Sequence, residues 1–420
     1  MRLISMGRAS GWLVVGAAAA LLAAGAVDSA SAASVKVGVV LPLTGGYAGT
    51  GTEQKRGIEL SVERINQAGG IKSLGGATLE VVFADDQGDP KLASTEVERL
   101  ISQQGVKILV GPPSSGESLA ASVVAERHRV PFLNVISWAD ELYQRGLKYF
   151  FGLPGKASMM AEFMVGGLEH LIKTQDFRPG RIVVLSNSTP FAQAVTDPLH
   201  DLLKARGFTV VDYVKYDAKA ADLTPVVLKL KSLRADTIMG ISHEPDGVRL
   251  QRARMEQDFA PNIIAGISGY AQPSVRKALG PDGVARVMSA GVFVLNLASV
   301  DMATPGWPIA VQAAKAKWGA QYVPNPLGFG SAYQGMLILK EALEAAGSLD
   351  GQAIRQAFLK LRVKKGSPLQ VMPFKDDLTF DETGFSKGLT FVLIQFHSVE
   401  KEVTIYPLDL ATAKPVMKAR

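Results

Sequence analysis

Val35-Lys36-Val37-Gly38-Val39-Val40-Leu41 is a short, largely β-branched run that stops at the turn residues Pro42 to Gly46. It reads as a buried strand. A glycine-rich loop, Thr44 to Thr52, follows it. From Gln54 the spacing changes: Ile58, Val62 and Ile65 recur at helical intervals until Ala68-Gly69-Gly70 closes the helix. The same strand–loop–helix unit then repeats. Residues 79–83, 108–110 and 132–135 read as strands, with helices over 93–104 and 119–128 and the turn Asp85-Asp86-Gln87-Gly88-Asp89-Pro90 between them. Strands alternating with helices of this length predict right-handed crossovers and parallel sheets covered on both faces.

At Phe151-Gly152-Leu153-Pro154-Gly155 the pattern pauses and restarts. Strands are expected over 181–186, 209–216, 236–241 and 263–266. Helices are expected over 160–173, 191–205 (with Pro198 inside), 224–233 and 246–257. Residues 291–297 read as a strand returning the chain to the first lobe, and 333–346 as an amphipathic helix ending at Gly347. Residues 389–396 and 402–406 read as the one hairpin-like piece. The fold class is therefore α/β: two Rossmann-like lobes with parallel sheets, joined by a multi-crossing hinge with a cleft between them. The expected division is 33–153 plus 293–372 for the N-terminal lobe and 154–292 plus 373–420 for the C-terminal lobe, after an export signal over 1–32.

That signal rests on Arg2 and Arg8, the uncharged run from Gly11 to Val27, and Ser29-Ala30-Ser31-Ala32-Ala33, which supplies a cleavage site after Ala32. A membrane anchor is the competing reading, because seventeen residues reach the lower limit for a spanning helix. There is no cysteine, so neither a lipoprotein anchor nor a disulfide is available, and the cores must supply the stability. The expectation is a free, unlipidated periplasmic protein. A 47% hydrophobic and 20% charged composition describes a packed globular chain. The net charge of +6 loses two arginines and one aspartate with residues 1–32, leaving +5 on dispersed side chains. No basic run with interleaved aromatics marks a nucleic-acid surface.

Enzyme chemistry finds little support. The glycines of Gly46-Tyr47-Ala48-Gly49-Thr50-Gly51 are not spaced as a dinucleotide fingerprint, and Asp85 lies too far downstream. Gly266-Ile267-Ser268-Gly269-Tyr270 fails the last position of a nucleophile elbow. His128, His170, His200, His243 and His397 are scattered, so neither a metal site nor a cofactor is expected.

In an open parallel sheet, ligands sit beyond the carboxyl ends of the strands. The first lobe offers the loops 42–51, 111–118 and 135–140 there. In the second of these, Ser114 and Ser115 stand at a helix start, whose free N–H groups suit a carboxylate. Either serine also reads as a plain helix cap. Tyr47 is a ligand contact or a surface aromatic. Trp138 is an aromatic wall of the cleft or packs on the neighbouring helix. The second lobe closes with the loops after Ser186, Ile241 and Gly266, and His243 reads as a hydrogen-bonded wall.

Several of these segments resemble the leucine/isoleucine/valine-binding protein family. They are Leu41-Pro42-Leu43-Thr44-Gly45, Gly57-Ile58-Glu59-Leu60, Ile65-Asn66-Gln67-Ala68-Gly69-Gly70-Ile71, the Asp85–Pro90 turn, Val110-Gly111 with the serines after it, and Phe380-Asp381-Glu382-Thr383-Gly384. The resemblance implies the type I periplasmic-binding-protein fold. It also implies a monomeric receptor that carries a small carboxylate to an ABC permease, or a sensory module of the same fold. It makes Ser115 the carboxylate anchor, so that Ser115→Ala would weaken binding and leave the ligand-free protein's melting unchanged. The chain departs from the family in four places. Ile136-Ser137-Trp138 replaces small residues plus a threonine, and Phe191 replaces a tyrosine. Ser242-His243 takes the place of an aromatic pocket residue. Ser268, followed by Gly269-Tyr270, stands where amino-acid receptors carry an acid for the ligand's ammonium. Without that acid, either Glu244 or Asp246 reaches in, or the ligand has no ammonium.

Overall fold

A computed structural model describes residue 1 and residues 34–175, 177–266, 268–271, 273–289, 292–296, 299–397 and 402–417. The export-signal reading falls on residues outside these. Among the described residues no helix is long and apolar enough to cross a membrane.

The opening strand, β1 (Ser34–Leu41), is buried on both faces. Val35, Val37, Val39 and Leu41 pack with Ile58 and Ile338 in one cluster, while Val40 turns the other way onto Val97, Leu100 and Ala121. A strand sandwiched between helices loses water from both faces, so its sequence is apolar without alternation. The first lobe's sheet has the order β2-β1-β3-β4-β5, where β2 is Thr78–Asp85, β3 Ile108–Val110, β4 Phe132–Asn134 and β5 Phe150–Gly152. All its pairings are parallel. The crossovers are α1 (Ala48–Gln67), α2 (Pro90–Ser102) and α3 (Ser115–Arg127).

The chain then enters the second lobe through α4 (Ala157–Gln175). Strands β6 (Ile182–Asn187), β7 (Val210–Tyr216), β8 (Thr237–Ile241), β9 (Asn262–Gly266) and β10 (Val292–Asn296) alternate with helices. These are α5 (Pro190–Ala205), α6 (Thr224–Ser232), α7 (Glu244–Glu256), α8 (Ser268–Ala271) and α9 (Pro273–Ser289). The return passage supplies α10 (Gly306–Trp318), α11 (Ser331–Ala346) and α12 (Gly351–Lys360) to the first lobe, followed by β11 (Arg362–Val363), β12 (Phe374–Phe380) and β13 (Ser386–Leu389). Strands β14 (Val392–Phe396) and β15 (Glu402–Tyr406) complete the second sheet, ordered β15-β14-β10-β9-β8-β6-β7.

Several expectations need correction. Residues 291–297 were expected to re-enter the first lobe, but β10 pairs in parallel with β9 and antiparallel with β14, so the N-terminal lobe does not resume at 293. The crossing lies after β10. Residues 374–389, expected in the C-terminal lobe, form an antiparallel sheet with β11. That sheet is anchored on the first lobe by Phe380, which packs edge-on against the stacked pair Phe151 and Phe358. The terminal pair β14–β15 is thus not the only antiparallel piece. The 44–52 loop is shorter than expected because α1 begins at Ala48. Gly51 lies inside that helix, where a Cβ would come within 2.1 Å of the Pro42 carbonyl oxygen. The glycine there serves a close backbone approach, not a flexible loop.

Candidate functional site

The loops at the carboxyl ends of the two sheets face each other. Together Tyr47, Ser114, Ser115, Ile136, Trp138, Phe191 and His243 line one cavity of ≈ 50 Å³ between the lobes, with Thr50, Pro113 and Leu327. The lobes touch across it. Thr50 Oγ1 donates to Glu244 Oε2 at 2.8 Å. Tyr47 meets His243 edge-on at 5.8 Å between ring centroids, and Trp138 meets Phe191 at 6.0 Å. Phe391, on the hinge segment before β14, backs Trp138 at 5.2 Å.

Ser115 is the first residue of α3 and is 2% exposed. Its Oγ accepts the amides of Trp138 and Ala139, each at 3.1 Å. A hydroxyl has two acceptor sites and one proton, so this oxygen has used its acceptor capacity and still has its proton to give. Ser114 holds the N-cap position, yet no side-chain cap bond forms there. The plain helix-cap role is therefore seen at neither serine; the Glu117 carboxyl takes its own amide, and helix geometry leaves the Ser115 and Gly116 amides without an intrahelical acceptor.

The 135–138 loop is folded around Asn134. Its Oδ1 accepts the amides of Ile136 and Ser137, while its Nδ2 donates to the Ser137 carbonyl. This turns the Trp138 indole into the cleft, where Nε1–H is buried without a hydrogen-bond partner. Ser137 goes the other way. Its hydroxyl donates to the Pro112 carbonyl at 2.9 Å and meets the Ser118 hydroxyl at 2.7 Å, so it holds two loops together outside the cavity wall.

In the second lobe, Thr189 fixes the Asn187 amide: its N–H and hydroxyl both donate to Asn187 Oδ1. Asn187 Nδ2 must then donate, and it reaches His243 Nδ1 at 2.9 Å and Asp246 Oδ2 at 3.0 Å. His243 Nδ1 is thereby the acceptor and Nε2 carries the proton. Burial lowers the His243 pKa, with Asp246 opposing, so the ring is a neutral donor. Asp246 also accepts from the Tyr216 hydroxyl at 2.6 Å and from the His243 amide at 3.1 Å. With those bonds made, Asp246 is a structural acceptor behind the wall and does not reach the cavity.

Ser242 and Tyr270 are not on the wall either. Tyr270 packs in the core of the second lobe with Leu250 and Ile263, and burial pushes its hydroxyl up to about 12. Ser242 is buried against α8, where a Cβ on Gly269 would come within 2.2 Å of its Oγ. The Ser268 backbone starts α8, and its side chain lies outside the described residues. Sequence reading missed Asn134 and Asn187, whose signal was a single asparagine at a strand end. It also missed Leu327, which carried no signal at all.

Glu117 lies near Tyr47, and a second buried acid, Asp86, lies near Glu117. Asp86 Oδ2 and Glu117 Oε2 have no hydrogen-bond partner. Burial pushes the Asp86 carboxyl up to about 7; the Gly88 amide opposes this, and repulsion from Glu117, Asp85 and Asp89 adds to it. Burial raises Glu117 too. Tyr47 is held protonated by burial and by Asp246, Glu117 and Glu244.

Comparison with known proteins places this geometry in context. A family profile described as periplasmic binding protein matches residues 34–379. Leu/Ile/Val-binding protein homolog 8 of Brucella abortus (strain 2308) is 31% identical over 408 residues, covering 96% of this chain and 98% of that one. Among the solved structures that share the fold are two with a ligand bound. The branched-chain amino acid transporter substrate-binding protein LivJ of Streptococcus pneumoniae, in complex with isoleucine, has a TM-score of 0.72 at 18% identity over 89% of this chain and 100% of its own. An ABC-transporter solute-binding protein of R. palustris, in complex with benzoate, has a TM-score of 0.74 at 17% identity over 92% and 99%.

Two predictions follow from the wall. Ser115→Ala strands two buried amides, so the ligand-free protein loses about 1–3 kcal/mol, read as a lower melting temperature in calorimetry. An unchanged melting temperature would contradict the bracing role of Ser115. Asp86 holds a proton in the native state that the unfolded chain releases near pH 4. The stability it contributes is full below about pH 4 and falls as pH rises to about 7. Asp86→Asn should melt like the parent at pH 4 and higher than the parent at pH 8. Parallel melting curves at both pH values would rule that out.

Proposed function

Because the chain belongs to the leucine/isoleucine/valine-binding family of periplasmic binding proteins, we propose that it is the extracytoplasmic receptor of an ABC importer. On this reading residues 1–32 direct export and are removed near Ala32, and the mature monomer binds one small carboxylate and presents it to the permease. It catalyses no reaction. The ligand is an apolar or aromatic acid without an α-ammonium.

One observation carries the ligand class: among the described residues the cavity wall offers donors and no carboxylate. Trp138 Nε1–H is buried without a partner, Ser115 Oγ accepts twice and so turns its proton to the cavity, His243 accepts at Nδ1 and so donates from Nε2, and the amides at the start of α3 add to them. Charge-assisted hydrogen bonds from such a set suit a carboxylate. Ile136, Phe191, Leu327 and the Trp138 ring supply apolar surface for the remainder of the ligand. A buried ammonium would need a counter-charge, and Asp246 is committed to Tyr216, Asn187 and His243. Benzoate is bound by one protein of this fold and isoleucine by another, so the scaffold accepts either chemistry and the wall residues decide.

Binding proceeds by a population shift. An apolar cavity of about 150 Å³ holds benzene, and this cleft offers ≈ 50 Å³. The lobes must therefore part to admit the ligand and settle around it, and the ligand stabilises that arrangement by touching both.

A thermal-shift comparison of benzoate-type acids with leucine tests the ligand class. An acid at a hundred times its dissociation constant adds about 2.7 kcal/mol, read at about 2–4 °C per kcal/mol for domains of 150–250 residues. Benzoate-type acids should stabilise the protein and leucine should not. The reverse order would overturn the ammonium-free reading and identify Glu244, which already accepts from Thr50 on the wall, as the counter-charge. Leucine binding by Glu244→Gln would then be lost.

A further inference from the structure

A second and larger cavity, ≈ 690 Å³, lies at the hinge outside the ligand cleft. We propose that it is a binding site for an organic anion with a flat apolar body and at least two negative charges. One wall is the antiparallel sheet β12–β13 on the first lobe, and the other is Met159 at the start of α4 in the second lobe. Gly155, from the first lobe crossing, and Leu389, at the edge of the last one, close it between them. Its volume is in the range of small-molecule sites.

The chemistry of the walls is two-layered. The floor is apolar: Phe385 and Leu389 are each 9% exposed, and Met159 lies beside them. The rim carries Arg362, Lys365, Lys375 and Lys387 against Asp376 and Asp377. Asp377 is already spent, accepting from Arg362 Nε at 2.7 Å and from the Lys365 amide at 2.9 Å. Lys365 Nζ is held over the groove by the Lys375 carbonyl at 3.0 Å. Lys156, next to Gly155, points its ammonium onto the Phe385 ring from 4.6 Å. Positive charge therefore exceeds negative charge around an apolar floor, an arrangement that attracts an anion and gives its hydrophobic face a surface.

Backbone irregularity opens the groove. The β12–β13 ladder runs from Phe374↔Leu389 to Thr379↔Lys387, so the β12 residues between them bulge out opposite Gly388. Gly388 has φ +104°, and a Cβ there would meet the Asp377 carbonyl oxygen at 2.5 Å. Bulges of this kind re-aim side chains beside binding sites, and this one carries Lys375 onto the rim.

The test uses naphthalene-1,5-disulfonate as the probe, titrated into the full mature protein with fluorescence anisotropy as the readout. Saturable binding is expected, weakened by high salt and lowered at least about tenfold in the Lys375→Gln/Lys387→Gln double variant, which removes two charge-assisted contacts. Both lysines are exposed, so this variant should melt like the parent. Trp138→Phe, which alters the interlobe cleft and keeps an aromatic ring against Phe391, should bind the probe as the parent does. The proposal is overturned if millimolar probe shows no saturable binding, if the double variant binds it unchanged, or if Trp138→Phe abolishes binding.

Discussion

A single buried oxygen holds the cleft in shape. Ser115 Oγ accepts two adjacent amides from the 138–139 backbone, and so ties the start of α3 to the loop after β4. Those segments leave neighbouring strands, and nothing in a parallel sheet fixes the distance between loops that leave its end. The hydrogen bonds do. With that distance set, Asn134 turns the loop and Trp138 stands in the cleft, backed by Phe391 of the hinge. The second lobe repeats the device with an amide. Thr189 orients Asn187, Asn187 orients His243, and Asp246 closes the network with Tyr216. Each lobe thus presents a rigid half-site, as hinge closure requires if two halves are to meet in register.

The electrostatic character of the cavity follows from how these networks are saturated. On both sides the acceptors face inward to the protein, and the spare protons belong to groups on the wall. Polar groups that satisfy a buried network are no longer available to a ligand. That is why Asp246, although close in sequence to His243, offers nothing to an ammonium, and why Ser137 belongs to the scaffold. Buried Glu117, near Tyr47, and Asp86, near Glu117, each keep an unpaired oxygen, and burial favours their protonated forms and limits negative charge near the cleft.

The two-lobed architecture was legible because burial on both faces writes an unbroken apolar run, as in β1, and crossover helices write a period of 3.6. The loops that carry Ser115, Trp138 and His243 were legible as strand ends, whereas Phe191 was singled out by the family resemblance. Other features left weaker marks. Strand β10 has the same composition whichever sheet it joins, so pairing decided its lobe. The β11–β13 meander spans a two-residue strand and a bulge, too irregular for period-two alternation. Tyr270 and Ser242 lay near the right strand ends, but the direction of a side chain from a short helix start is set by packing. Gly51 looked like loop punctuation, yet it is a helical glycine facing the Pro42 carbonyl oxygen. Leu327 reaches the cleft from a segment distant in sequence, and only the tertiary fold brings it there.

Closure around a ligand is the central claim, and a distance across the cleft tests it most directly. The chain has no native cysteine, so Lys91→Cys in the first turn of α2 and Lys219→Cys after β7, both exposed and on opposite lobes, allow clean pairwise spin labelling. Pulsed electron spin resonance should give a broad distance distribution for the ligand-free protein. Saturation with the acid that gives the largest thermal shift should narrow it to the single arrangement in which both lobes touch the ligand. An identical distribution with and without that acid would contradict the account.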